Sequence, residues 1–349
     1  MDTTTLPPTR SPLDSLACVN RRCELYGQAG QDNLTVRKVY GADRIRYLRC
    51  RACRIEFSER KQTALWNTKV CEAKAVAVSE HLAEGCSLKG TARLVKVDAS
   101  TVRRLNQRLG EHGQLFHAER VQAVRVEALE ADERHGYATH KGAPAWEAEL
   151  MDPVSKFVIS HVQGRRNEEL IRTLLEDGAA RLAQRQDLVL LTDGEASYAT
   201  LFPEIFGQPY RPSRSSQRGR PPKLRFRIPR SLAHVQVVKH RTGNRVTHVE
   251  IRHAHGSQKR VTQALEKLGY QVANTSAIER RNGTARTMSA HQVRKSLAFS
   301  RRTDTKQALG WWGVTVYNWC RSHRSLRRRL PQPVGKKSTN PVRQQWRSV

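Results

Sequence analysis

Four cysteines and three acids carry the chemistry that this sequence offers. Cys18 and Cys23 form one close pair, Cys50 and Cys53 a second, with 26 residues between the pairs. A short loop between two thiolates lets both point at one ion, and two such knuckles close the tetrahedral shell of one structural zinc. Arg21, Arg22, Arg49 and Arg51 flank them and favour the thiolate forms. The acids are Asp132, Asp193 and Glu279. Asp132 ends an alternating run that begins VRVEALEADER; Asp193 follows DLVLLT, a continuous apolar run of the kind buried on both faces of a sheet. Carboxylates on adjacent strand ends are costly unless they hold cations, and magnesium takes such oxygen ligands. If NTSAIERRNGTARTM is helical, Glu279, Asn282 and Arg286 share one face, a carboxylate among amide and basic groups as a metal-bound phosphodiester would meet it. Glu250, on a strand pattern, and Glu266, on an amphipathic helix, are the rival third acids.

The elements that must position these groups fall into three segments. TVRKVYG and RIRYLRC alternate as two strands about Gly41-Ala42-Asp43, which makes residues 1–62 a zinc ribbon. Residues 66–113 read as helices. The first runs from about Asn67 to Glu84 and is ended by Gly85, with Cys71, Ala75, Val78 and Leu82 on one stripe. The second is capped by Ser87, with Leu88, Ala92 and Val95 inward. The third starts near Asp98, with Val102, Leu105 and Leu109 inward and Gly110 and Gly113 beyond its end. A tight turn at Lys96-Val97 makes the pair a helix-turn-helix, whose outward Ser100, Arg103, Arg104, Gln107 and Arg108 suit phosphates and base edges. From about 121 the order is strand, hairpin around Pro153-Val154-Ser155, helix NEELIRTLLEDGAARLAQR and buried strand. A closing helix contains Trp311, Trp312, Val316 and Trp319 as core residues, and Glu130, Glu133 and Glu195 are expected in water or beside the principal acids.

Charge narrows the partner. In 349 residues, Lys and Arg number 62 and Asp and Glu 32, a net charge of +30 that points to a polyanion. Residues 280–349 hold 17 of those cations against a single acid, Asp304, and residues 211–230 hold eight against none. Such blocks follow a phosphate backbone. No apolar run approaches the roughly 18 residues that span a bilayer, so no membrane partner is expected. There is no basic, apolar-cored leader, and the cysteine count of seven is odd, which argues for a reducing compartment. The sequence lacks GxxxxGK[ST], so no nucleotide cofactor is implied, and it lacks HExxH and GxSxG.

ADERHGY, LLTDGEASYAT, and IERRNGTAR followed by RKSLAFSRR resemble the three catalytic blocks of the insertion-sequence-one family of bacterial transposases. The resemblance extends over nearly the whole chain, with the zinc ribbon and helix-turn-helix similar to that family's DNA-binding region. It implies a multidomain protein: the ribbon, the all-α helix-turn-helix, and an α/β RNase H-like domain over residues 120–330. That domain would carry a DDE triad of Asp132, Asp193 and Glu279, holding two magnesium ions, with manganese a possible substitute. Arg280, Asn282, Arg286, Arg294 and Lys295 would join the helix-turn-helix residues on DNA. The implied partners are double-stranded DNA, as terminal inverted repeats and as target, and further copies of the chain on paired ends, in the bacterial cytoplasm at the nucleoid. Asp193 and Glu279 lie 86 residues apart, further than the family's spacing, so residues 208–257 are expected to form a basic β-rich insertion, and residues 331–349 a disordered basic tail. An inert DNA-binding regulator and a nuclease that cuts without joining are the rival functions.

Overall fold

The computed structural model describes residues 11–183, 187–213, 222–293, 298–334 and 337–343, with side chains described as far as residue 326. The chain divides into two compact units, Met1–His112 and Gly113–Val349.

The first unit begins with a three-stranded antiparallel sheet, β1 (Leu34–Tyr40), β2 (Ile45–Cys50) and β3 (Glu56–Ser58). Leu34, Leu48 and Phe57 bury their side chains against the four cysteines. Helices α1 (Glu72–Ala83) and α2 (Leu88–Val95) follow, then α3 (Ala99–Arg120). Buried Arg60 joins the sheet to α1 by bonding Asp43 at 2.7 Å and Glu72 at 3.1 Å, and Asp43 also accepts the Glu72 N–H. The Ser87 hydroxyl caps α2 by accepting the Gly90 N–H, and Lys96 turns the chain in the left-handed region. Two helix limits differ from expectation. The first helix begins at Glu72, with Cys71 as its cap residue. The third passes through Gly110 and Gly113 to Arg120, and Gly113 serves packing there: it faces Thr315, where a methyl group would collide.

The second unit is built on a six-stranded mixed sheet. Its elements, in chain order, are β4 (Ala128–Arg134), the small pair β5 (Tyr137–Ala138) and β6 (His140–Pro144), β7 (Trp146–Met151), β8 (Val158–Gly164), α4 (Glu168–Arg181), β9 (Leu188–Thr192), α5 (Ala196–Phe206), the pair β10 (Gln208–Tyr210) and β11 (Arg225–Arg227), β12 (Leu232–Thr242), β13 (Arg245–His255), α6 (Gln258–Leu268), α7 (Ser276–Met288) and α8 (Thr303–Thr315). The sheet order is β13-β12-β9-β4-β7-β8. β4, β7 and β8 form an antiparallel meander, β9 and β12 run parallel to β4, and β13 returns antiparallel on β12. Leu170, Ile171, Leu174 and Leu175 of α4 and Tyr198, Leu201 and Phe202 of α5 bury one face; Val261 and Ala264 of α6, Ile278 and Met288 of α7, and Trp311 and Val314 of α8 bury the other. All five residues of β9 are buried, as its unbroken apolar run predicts.

The expected insertion at 208–257 is corrected here. Leu232–Val237 of β12 are buried between β9 and β13, so this stretch is a core strand. It fills the long interval between the second and third acids. The C-terminal segment also differs from expectation: after the π-helical Val316–Cys320, β14 (Ser322–Val334) pairs with β15 (Lys337–Arg343).

His117 sets a pH dependence. Its ring is buried, Nε2 donates to the Ile159 carbonyl at 2.9 Å, and burial pushes its pKa down to about 4. The folded state therefore binds this proton less readily than the unfolded chain. The resulting stability is present above about pH 6.5 and is lost as pH falls toward 4, a change of about 3 kcal/mol. Urea titrations of wild type and His117→Gln at pH 7 and pH 4.5 should show the variant losing about 2–3 kcal/mol less on acidification. Equal losses in the two proteins would reject this account.

Candidate functional site

The parallel register brings the acids together. Ala128, Leu129 and Glu130 of β4 lie beside Val189, Leu190 and Leu191 of β9, and continuing that ladder sets Asp132 level with Asp193. β12 follows the same ladder, with Gln236 beside Thr192, so that Val237 falls level with Asp193 and Val238 lies against Gly194. Such strand ends are where open α/β sheets bind ligands. Helix α7 supplies the third acid. A cavity of about 580 Å³ is lined by Asp132, Asp193, Glu279, Asn282, Arg286, Arg166, Lys239 and Arg241, among others. Asp132 sits inside β4, two residues before its end, whereas Asp193 is the first residue past β9.

Each acid is held by named partners. Asp132 accepts the Glu133 N–H at 2.8 Å and the Asn282 amide at 2.7 Å. Burial, then the neighbouring Asp193 carboxylate, pushes the Asp132 pKa up to about 6. Asp193 accepts the Glu195 N–H at 3.0 Å and so also shapes the turn into α5. Glu279 accepts the Thr275 hydroxyl at 2.7 Å and pairs with the Lys239 ammonium. The two rival glutamates lie elsewhere: Glu250 of β13 bonds Arg252 on its own strand and His240 on β12, and Glu266 lies on α6.

The nearby acids are drier than expected. Glu130 is fully buried and accepts the Ile278 N–H at 2.8 Å, which ties β4 to the start of α7; burial pushes its pKa up to about 7. Glu133 is buried, accepts the Tyr198 hydroxyl, and is likewise pushed up to about 7, first by burial. Glu195 caps α5 and faces Arg166 at 3.4 Å.

Behind the cavity lies a charge network without an outlet to water. Glu149 of β7 meets Arg134 at 2.6 Å, Arg281 at 2.8 Å and His161 at 3.1 Å. Glu147 meets Arg134 at 2.7 Å and also binds Lys306 and Gln292. Burial opposes ionisation of Glu149, but Arg134 and Arg281 outweigh it and hold the carboxyl well below its usual range. Arg281 also lies 4.1 Å from the Tyr317 ring centroid. Arg134 reaches forward to Asn282 Oδ1 at 3.1 Å, so the network orients the amide that holds Asp132. None of this was expected from sequence. Glu147 and Glu149 alternate with apolar residues along β7, a pattern that also describes a solvated sheet face.

The residues assigned to DNA separate into groups. Ser100, Arg103 and Arg104 are exposed on α3, whereas Gln107 bonds Glu111 and Arg108 bonds the Trp66 carbonyl. Asn282 is buried, lines the cavity and spends its amide on Arg134 and Asp132. Arg286 lines the cavity, and Arg280 is exposed outside the cavity lining. Arg294 and Lys295 lie outside the described residues.

Among the described residues, Cys18, Cys23, Cys50 and Cys53 are the one group of metal-ligating types whose ligand atoms all lie within 4.8 Å of one another. Sγ of Cys18 is 3.6 Å from that of Cys53, and Sγ of Cys23 is 4.0 Å from that of Cys50; the Asn33 amide donates to Cys50 at 3.2 Å. Burial pushes the Cys18 thiol up to about 12, a cost that a bound cation removes. This set could hold a metal such as zinc. Elemental analysis of the purified chain should then give one zinc per chain. Cys23→Ser should lose it and melt the first unit, since such sites contribute on the order of 10 kcal/mol of folding free energy. A variant that keeps its fold without metal would reject a structural role.

No helix among the described residues is long and apolar enough to cross a membrane. No family model and no curated protein matches the chain. Solved structures do match. The chain is similar to one described as "Crystal structure of the Mos1 Strand Transfer Complex", at 10% identity over 38% of this chain and 53% of that one, with a TM-score of 0.17. It spans about half the length of that protein. It is also similar to one described as "Crystal structure of a pre-cleavage Mos1 transpososome", at 8% identity over 71% of this chain and 78% of that one, with a TM-score of 0.19.

Proposed function

We propose that the chain is a DNA transposase of the DDE type, which cuts the ends of its own element and joins them to a target. The observation that carries this reading is the convergence of Asp132, Asp193 and Glu279, from two adjacent parallel strands and a helix, on one cavity that also contains arginine and lysine. The mixed sheet, an antiparallel meander continued by two parallel strands, supports an RNase H-like domain. The ribbon over residues 1–62 and the helices that follow would bind the terminal inverted repeats, with Ser100, Arg103 and Arg104 on the duplex.

Three carboxylates lining one cavity make an oxygen donor set of the kind magnesium takes. Bound there, two ions supply an activated water and a charge clamp on the leaving 3′ oxygen. The chain's own groups do the rest. Asn282 holds the Asp132 carboxylate in place, Thr275 orients Glu279, and Arg166, Arg241 and Arg286 set positive charge around the phosphodiester. The burial of Asp132 keeps its carboxylate out of bulk water, where attraction for a cation would be screened.

The test is incubation of labelled DNA bearing one element end with the protein in magnesium and in manganese, beside Asp193→Asn. Cut and joined products from wild type alone support the reading. Cutting without joining makes the protein a nuclease, and tight binding without any product makes it a regulator.

A further inference from the structure

β12 and β13 serve the core for half their length only. Leu232–Val237 are buried, but the ten residues from His240 to Val249 are exposed without interruption. A two-stranded ribbon in water is marginally stable by itself, and this one shows Val246 and Val249 to solvent. Burial in this chain therefore does not account for its outer half. Its charges are one-sided. Lys239 and Arg241 line the catalytic cavity, and Arg245 follows across the turn. Among the described residues, no carboxylate forms an ion pair with Arg241 or Arg245. The one acid of the ribbon, Glu250, is taken up by His240 at 2.9 Å and Arg252 at 2.7 Å.

We propose that the outer half of this ribbon lies in a groove of the duplex whose phosphate enters the cavity, with Arg241 and Arg245 on the backbone; this rests on the transposase reading. Three features favour duplex DNA. A two-stranded β-ribbon fits the major groove, about 12 Å wide. Arginines without acidic partners suit phosphates. The root of the ribbon carries Lys239, which touches the third acid, so the DNA that it grips is the DNA being cut. Three residues of β12 beyond Lys239, closed by the turn at Gly243-Asn244, reach about 14 Å at roughly 3.4 Å per residue. Protection should therefore extend about four base pairs from the scissile phosphate.

The experiment uses the full chain carrying Asp193→Asn, so that nothing is cut, and a fluorescent duplex bearing one element end. Affinity is measured by anisotropy across a salt series. Adding Arg241→Ala and Arg245→Ala should lower affinity about tenfold and shrink the slope of log K against log salt by about 1.8, since each phosphate contact contributes about 0.9. Val246→Lys, at an exposed position, should steepen the slope by about 0.9. Unchanged slopes in both variants, with wild-type ribbon binding the duplex, would overturn this proposal and leave the transposase reading standing. A chain that binds no duplex at all overturns both.

Discussion

Replacing Asp193 by asparagine is expected to lower cleavage and joining on the order of 10³-fold while leaving the affinity for element ends within a fewfold of wild type. The change removes one charged ligand from the cavity, and a loss of several kcal/mol of transition-state stabilisation is a loss of several factors of ten in rate. Asparagine keeps an oxygen for the Glu195 N–H, so the turn into α5 survives. A second readout separates this account from simple misfolding. The Asp193 carboxylate is one of the charges that push Asp132 up to about 6. A carboxyl raised in this way contributes stability below its ordinary pKa, and that contribution is lost as pH rises through 6. Removing Asp193 returns part of it, so the metal-free variant should melt no lower than wild type above pH 6. A lower melting temperature there, or retained cleavage, would contradict the assignment of Asp193.

Replacing Arg281 by methionine is expected to destabilise the protein by about 3–5 kcal/mol and to impair cleavage, although Arg281 does not line the cavity. Its guanidinium is fully buried and makes two bonds to Glu149, at 2.8 and 3.0 Å. Truncating one partner of a buried pair leaves the other charge desolvated, which is the large cost. Glu149 would retain Arg134 and His161, so the same change combined with Glu149→Gln should recover part of the lost stability. Arg281 sits between Arg280 and Asn282 on α7, so its loss also loosens the helix that carries Glu279. Denaturant unfolding gives the first effect. The second should raise the magnesium concentration required for cleavage more than it changes DNA affinity. A stability change below 1 kcal/mol would show that the network contributes little.

What was legible in the sequence depended on how local its cause was. The paired cysteines, the Ser87 cap and the apolar run of β9 each follow from a few neighbouring residues, and the structure has them where the pattern put them. The helical face carrying Glu279, Asn282 and Arg286 also follows from short spacing, though burial of Asn282 does not. The end of α3 was misread because glycine was taken as a stop, whereas Gly113 admits a close neighbour, Thr315, from far along the chain. β12 was misread for a similar reason. AHVQVVKH alternates equally well as a surface hairpin or a core strand, and only its parallel pairing with β9 decides between them. Glu147 and Glu149 looked like a wet face because their cationic partners lie 132 and more residues away on α7 and α8, or on the opposite strand.

The pairing of Lys239 with Glu279 bears on how such a chain comes to exist at all. A cluster of carboxylates kept ready for divalent ions is a burden to a newly made chain, because like charges must be gathered before any ion arrives to reconcile them. Here the chain brings its own monovalent counter-charge, carried on the neighbouring strand. Under the proposed function, folding would then run to completion wherever free magnesium is scarce, and loading would be an exchange of one cation for another at a finished site.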